Sequence, residues 1–202
     1  MGEDDFSGLM IYVIDNGGQW THREYRVLRD LGAKVSIVPN DTPLSSLSDA
    51  DGLVLSGGSP SVGLEPEKMG LSSEYLDSID RPFLGICVGH HFIAHHFGGL
   101  TGKGASSEFG KAELEVSSTE GILEGLPVRF RVWESHNDEV RETPPGFRVL
   151  ARTADCPVEA MMSESRPIYS LQFHPEVDET EYGVEIFRNF LRKVAEWKSG
   201  RR

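Results

Sequence analysis

A thiol stands between two glycines in Gly85-Ile86-Cys87-Val88-Gly89, where the apolar run "PFLGIC" meets a helical pattern predicted from about Val88 to Phe97. This G-x-C-x-G pattern is the thiol counterpart of the serine nucleophile elbow. Its glycines let a strained residue stand at a sharp strand-to-helix turn. The unpaired amides and positive end of the following helix would favour thiolate and lower the cysteine pKa. The opposing reading is that Cys87 is a small buried hydrophobe, the commoner fate of a lone cysteine. The motif alone leaves both open.

A second constellation, "QFHPEV", ends the strand predicted over Ile168 to Phe173. His174 is a candidate base, and Glu176, two residues on along an extended chain, reaches the same side to hydrogen-bond the imidazole. In such a Cys-His-Glu arrangement His174 takes the thiol proton and returns it to the leaving group, while Glu176 fixes the tautomer. Acyl transfer also needs donors aimed at the oxyanion. The Val88 amide, directly after the nucleophile, is one, and a glycine amide of "LSGGSPSVG", Gly58, is the second. A phosphate cradle is excluded there, because Gly58-x4-Gly63 is followed by Leu64-Glu65 where a P-loop needs Lys and Ser or Thr.

The elements that must carry these residues are legible in outline. "LMIYVID", "KVSIVP", "GLVLSGG" and "PFLGIC" are short, β-rich runs alternating with helical patterns, as in βαβ units with strands buried on both faces. A ligand is then expected outside the strands' carboxyl ends, where the glycine-rich turns gather. The second half reads as strands: "KAELEVSS", "VRFRVWES", "FRVLARTA", "VEAMMSE" and "IYSLQF". The expected fold class is α/β, a mostly parallel central sheet flanked by helices with a smaller antiparallel β addition. A closing helix carries Val184, Phe187, Leu191 and Val194 at helical spacing. The expected organisation is one domain over residues 9–198, a flexible tail at 1–8 and a short tail at 199–202.

Composition narrows the function classes. The chain has 202 residues and a net charge of −12, which opposes binding to a phosphate backbone and leaves nucleic acid outside the expected partners. Two cysteines without a C-x-x-C pair suit a reducing compartment. No apolar run approaches the ~20 residues of a membrane span, and the acidic start differs from a secretory signal, so a cytoplasmic location without a membrane partner is expected.

Other side chains of chemical interest read more plainly. Cys87, His91 and His95 fall at i, i+4, i+8 and could in principle hold zinc, but a functional metal is not expected, with His95 assigned to the helix interface. His22 is read as solvated, Cys156 as a small filler in a turn, and Trp20, Trp133 and Trp197 as packing residues without chemistry.

Taken together, "DNGGQ", "SGGSPSV", "LGICVGHH" and "QFHPEV" resemble the class I, triad-type glutamine amidotransferases, over about Leu9 to Leu191. Within them "ESHNDEV" and "VEAM" are most similar to the glutaminases of GMP synthases of the two-subunit, archaeal type. The resemblance implies a flavodoxin-like fold and attack by Cys87 on the side-chain amide of L-glutamine, with His174 and Glu176 completing the triad and Gly58 and Val88 forming the oxyanion hole. It implies that Gly57, His91 and the Ser135-His136-Asn137 stretch hold the substrate. It also implies that ammonia passes to a separate ATP-pyrophosphatase or synthetase subunit converting XMP to GMP, which uses ATP and Mg2+, with no cofactor in this chain. The family pattern is C-x-G-x-Q, and here His91 occupies the last position, a departure that bears on affinity and pH optimum. The alternatives are a glutaminase serving another acceptor, a γ-glutamyl hydrolase, and a regulatory subunit without catalysis.

Overall fold

In the strands β1 (Met10–Asn16) and β3 (Gly52–Gly58) apolar side chains do not alternate with polar ones, because both faces are covered. Ile11, Val13 and Val54 point into one core, and Tyr12, Ile14, Leu53 and Leu55 into the other, as the period of two requires. The computed structural model describes residues 4–200, apart from the side chains of residues 105 and 106.

The remaining elements are α1 (Thr21–Asp30), β2 (Lys34–Pro39), α2 (Ser72–Ser78), β4 (Phe83–Ile86), α3 (Val88–His96), β5 (Leu100–Val116), β6 (Arg129–Glu142), β7 (Phe147–Arg152), β8 (Ala160–Ser163), β9 (Ile168–Leu171) and α4 (Gly183–Ser199). Three short 3-10 turns interrupt the connections. The strands make one nine-stranded sheet in the order β2-β1-β3-β4-β9-β8-β7-β5-β6. The first five in that order are parallel, and from β9 outward every pairing is antiparallel.

One core, between the sheet and helices α1 and α4, gathers Leu28, Ile186, Phe187, Phe190, Leu191 and Val194. The other, beneath α2 and α3, gathers Tyr75, Leu76, Phe83, Phe92 and Ile93. The α4 stripe differs from the expectation by one residue: Val184 is exposed, and Ile186 and Phe190 take its share of the packing.

The decisive pairing joins β9 to β4. Ile86 lies beside Leu171 in parallel register, and the Cys87 amide donates to the Leu171 carbonyl at 2.8 Å. A segment 84 residues further along the chain is thereby placed at the same sheet edge as the cysteine turn. The turns after β1 and β3 reach that edge too, where Gly17 bridges Gly58. "ESHNDEV" lies in the second half of β6, paired with a β5 that begins well before "KAELEVSS" and shifts register between Lys103 and Glu108.

The expected flexible tail over residues 1–8 is corrected for its described part. Phe6 enters the core, Asp4 pairs with Arg192 of α4, and Lys198 donates to the Gly8 carbonyl. An aromatic ring with an apolar surface to reach outweighs the acidic character of its neighbours. Residues 1–3 and 201–202 of the two expected tails lie outside the described residues, and α4 continues to Ser199. Among the described residues no helix is long and apolar enough to cross a membrane.

Candidate active site

Cys87 has φ 51° and ψ −106°, a left-handed conformation rare outside glycine that costs on the order of 1–3 kcal/mol. Its neighbours impose it. A Cβ on Gly89 would lie 2.1 Å from the Leu55 carbonyl oxygen, and one on Gly85 would lie 2.7 Å from the Gly89 oxygen. Only with both Cβ atoms missing does α3 begin directly over β3 and β4. Cys87 is thus lifted between a strand end and the first turn of a helix, the geometry of a nucleophile elbow.

His174 arrives from β9, and its carboxylate partner fixes its tautomer. Its Nδ1 donates to Glu176 Oε1 at 2.6 Å, with both side chains buried. The loop that carries them is tied to β6: the His174 amide donates to the Trp133 carbonyl at 3.0 Å, and the Thr180 hydroxyl donates to the His174 carbonyl at 2.7 Å. Burial disfavours a charged ring, but the Glu176 carboxylate and the adjoining Cys87 outweigh it and raise the His174 pKa well above the usual imidazole range.

Gly57 packs against both partners. A Cβ there would stand 3.3 Å from His174 Cε1 and 3.7 Å from Cys87 Cβ, so the residue's lack of a side chain leaves room for the two beside the β3 backbone. Its amide donates to Glu24 Oε1 at 3.3 Å. Gly57, expected to bind substrate, borders the cleft beside Cys87 with its N–H turned toward α1.

Cys87 opens on two adjoining clefts. One, of about 240 Å3, is bordered by Trp20, Glu24, Gly57, His174 and Glu176. The other, of about 360 Å3, is bordered by Gly58, Val88, His91, Ser135, His136 and Asn137. The expected oxyanion and substrate residues therefore meet around the cysteine. Ser61 and Asp138 close the rim of the second cleft with a 2.5 Å hydrogen bond, and Asn137 Oδ1 accepts from Ser107 at 2.8 Å.

Two histidines are committed differently from the expectation. His91 Nε2 stands 2.7 Å from Gln172 Oε1, so the ring is hydrogen-bonded to the Gln172 side chain. Burial pushes its pKa down to about 4, and it is neutral at physiological pH. His136 borders the cleft, but its Nδ1 faces the Asp138 carbonyl at 3.0 Å and its Nε2 faces Glu134 at 3.3 Å and Glu108 at 3.4 Å. Its imidazole is engaged beneath the cleft, and only the segment's placement matches the substrate role. His95 is exposed where the interface was expected to hold it, and His90 is the buried one, between Ser170 and the Val158 carbonyl. Cys87, His91 and His95 accordingly do not converge on a point.

Sequence reasoning passed over Glu24 and read Trp20 only as a packing residue. Trp20 meets the His174 ring edge-on at 4.4 Å between centroids. Glu24 is buried beside Cys87, His174 and Glu176, where desolvation first and the charge of Glu176 second raise its pKa well above the usual carboxylate range. The available signal was the spacing Trp20, Glu24, Leu28: a carboxylate at i+4 on the apolar stripe of α1 faces the sheet.

A model of the glutamine amidotransferase class-I family matches residues 12–194. The chain is 51% identical over 190 residues to the glutamine-hydrolyzing GMP synthase subunit of Thermoplasma acidophilum, covering 94% of this chain and 95% of that protein. It is 49% identical to the protein of the same name from Thermococcus kodakarensis, over 93% of this chain and all of the relative (100%). A crystal structure from T. acidophilum, named for the same GMP synthase subunit, superposes with a TM-score of 0.92 at 50% identity, covering 96% and 97% of the two chains. A Thermotoga maritima glutamine amidotransferase at 18% identity shares the fold, with a TM-score of 0.72 over 96% of this chain and 85% of that one.

Proposed function

The chain belongs to the class-I glutamine amidotransferase family, and from that premise we propose that it is the glutaminase subunit of a two-subunit GMP synthase. Cys87 attacks the side-chain carbonyl carbon of L-glutamine. The oxyanion that forms is received by the amides of Val88 and Gly58, which border the same cleft. His174, an imidazolium steadied by Glu176, protonates the departing nitrogen, and ammonia leaves a γ-glutamyl thioester on Cys87. The neutral ring then takes a proton from water, the hydroxyl adds to the thioester, and glutamate departs with the thiolate restored.

Gly58, His91, Ser135 and Asn137 border the volume in which the amino-acid part of glutamine would lie. His91 borders that volume while its Nε2 is hydrogen-bonded to Gln172. Ammonia is passed to a separate synthetase subunit that uses ATP and Mg2+ to convert XMP to GMP. The names of the relatives support that partner and acceptor.

The observation that carries the catalytic reading is the 2.6 Å His174–Glu176 bond at the same sheet edge as a cysteine held at φ 51°. The test is glutamate release by wild type and Cys87→Ala, with and without a synthetase subunit, ATP, Mg2+ and XMP. Wild type should release glutamate, accelerate with the complete mixture and yield GMP, and Cys87→Ala should do neither. Glutamine turnover that survives Cys87→Ala would refute the mechanism, and turnover without GMP formation would refute the acceptor.

A further inference from the structure

Beneath the segment Ser135–Asn137 lies a group of side chains that the amidotransfer chemistry does not use. Glu108 of β5, His136 of β6, Cys156 of the β7–β8 loop and Glu159 just before β8 each bring one oxygen, nitrogen or sulfur atom within 4.8 Å of the others. We propose that these four residues form a metal site for a divalent cation of borderline softness, zinc foremost, which clamps β5, β6 and the β7–β8 loop together.

The donor set fits such an ion: one thiolate, one imidazole and two carboxylates are zinc ligand types, and four protein ligands make a closed, structural site. Tetrahedral ligands at ~2.0–2.3 Å from a shared ion stand roughly 3.3–3.8 Å apart, so the widest separations in the group must close by up to about 1 Å to complete the shell.

Partnering within the group points to a cation independently of the donor types. Both carboxylate oxygens of Glu159 and both of Glu134 are buried without a well-formed hydrogen bond, and His136 Nε2 has only the long contacts to Glu134 at 3.3 Å and Glu108 at 3.4 Å. Buried carboxylates ordinarily are paired or coordinate metal, since an isolated one is costly. The single imidazole here faces Glu108, Glu134 and Glu159 together, and a doubly charged ion meets the excess.

The ligands are also oriented from behind, as metal ligands are. His136 Nδ1 faces the Asp138 carbonyl at 3.0 Å, which fixes that proton and leaves Nε2 toward the group. The Glu108 carboxylate accepts from the Thr153 hydroxyl at 2.9 Å and 3.1 Å, and Thr153 Oγ1 in turn accepts from the Cys156 amide at 3.0 Å. An entry path exists, because Glu108, Glu134 and Thr153 border an open cleft of about 330 Å3 that Cys87 does not line.

Protons occupy the group when no ion does. Burial, then the charge of Glu134, raises the Glu159 carboxyl well above its ordinary range, and burial raises the Cys156 thiol as well. Burial would lower His136, but Glu108 and Glu134 push it up to about 10. Metal must displace these protons to bind.

The experiment uses the full chain carrying Cys87→Ser, so that the nucleophile cannot supply sulfur. Cobalt(II) should give one equivalent of tetrahedral absorption with a thiolate-to-metal charge-transfer band, and adding Cys156→Ser should abolish the band. Zinc-loaded Cys87→Ser should show one sulfur among nitrogen and oxygen ligands by X-ray absorption. Zinc at a hundredfold excess over its Kd should raise Tm by about 5–10 °C, and Glu159→Gln should weaken zinc affinity at least about tenfold and shrink that rise. No charge-transfer band in Cys87→Ser, a zinc shell without sulfur, or an unchanged Tm in zinc would overturn the proposal and leave the group a proton-sharing network only.

Discussion

Glu24 accepts a hydrogen bond from the Gly57 amide at 3.3 Å while Gly57 itself packs against Cys87 and His174, so helix α1, which carries neither, supports the strand beside them. Desolvation, and secondarily Glu176, hold the Glu24 carboxyl protonated beyond its usual range. A carboxyl whose folded pKa is raised keeps a proton that the unfolded chain releases, so this site costs stability as pH rises above about 4.5 toward the folded value. Glu24→Gln keeps the carbonyl acceptor and removes the titration. It should retain kcat within about threefold and be more stable relative to wild type at pH 8 than at pH 5, as thermal unfolding at the two values would show. An unchanged pH dependence of stability would contradict it.

Gly57→Ala places a methyl group 3.3 Å from His174 Cε1. Because a misplacement of about 1 Å can cost ~100-fold in rate, kcat should fall by about that factor with little change in Tm. Steady-state glutaminase kinetics beside a melting curve decide it, and a large fall in Tm would mean that the strand rather than the triad was disturbed.

Glu176→Gln removes the charge that raises His174 above its ordinary range. The rate should fall on the order of 100-fold. The alkaline limb of the kcat profile, where imidazolium is lost, should move to lower pH. A limb that stays in place would mean that Glu176 does not govern the proton on His174.

His91 is held near a pKa of about 4 against 6.5 for an unperturbed ring. A buried neutral histidine stabilises the fold above pH 6.5, and that contribution is lost as pH falls toward 4, amounting to about 3 kcal/mol from 2.5 units at ~1.4 kcal/mol each. His91→Gln should flatten this acid slope, measured by denaturant unfolding at pH 7, 5.5 and 4. It should also leave the glutaminase pH profile unchanged above pH 6, since the ring carries no charge there.

Much of the site was legible because it consists of local patterns. The glycines around Cys87 are demanded by contacts within one strand-turn-helix unit, and His174 with Glu176 by a spacing of two along an extended chain. The parallel strands announced themselves by apolar runs without alternation. Phe6 escaped notice because one apolar residue in an acidic stretch carries no period, and β6 ran on through "ESHNDEV" because its partner, not its composition, decides where a strand stops.

The sequence by itself determined the residue types that can do chemistry and the turns that hold them, since sterics at a glycine or the reach of a side chain act over a few bonds. Only the tertiary structure decided which of them meet. The insertion of β9 beside β4 brings His174 to Cys87, and α1 brings Glu24 under Gly57. Glu108, His136, Cys156 and Glu159 form one group only once β5, β6 and the β7–β8 loop pack together. Side-chain proximity across the sheet depends on register and burial of the whole chain, and charges that look solvated in a linear string become costly, and so informative, once water is excluded from around them.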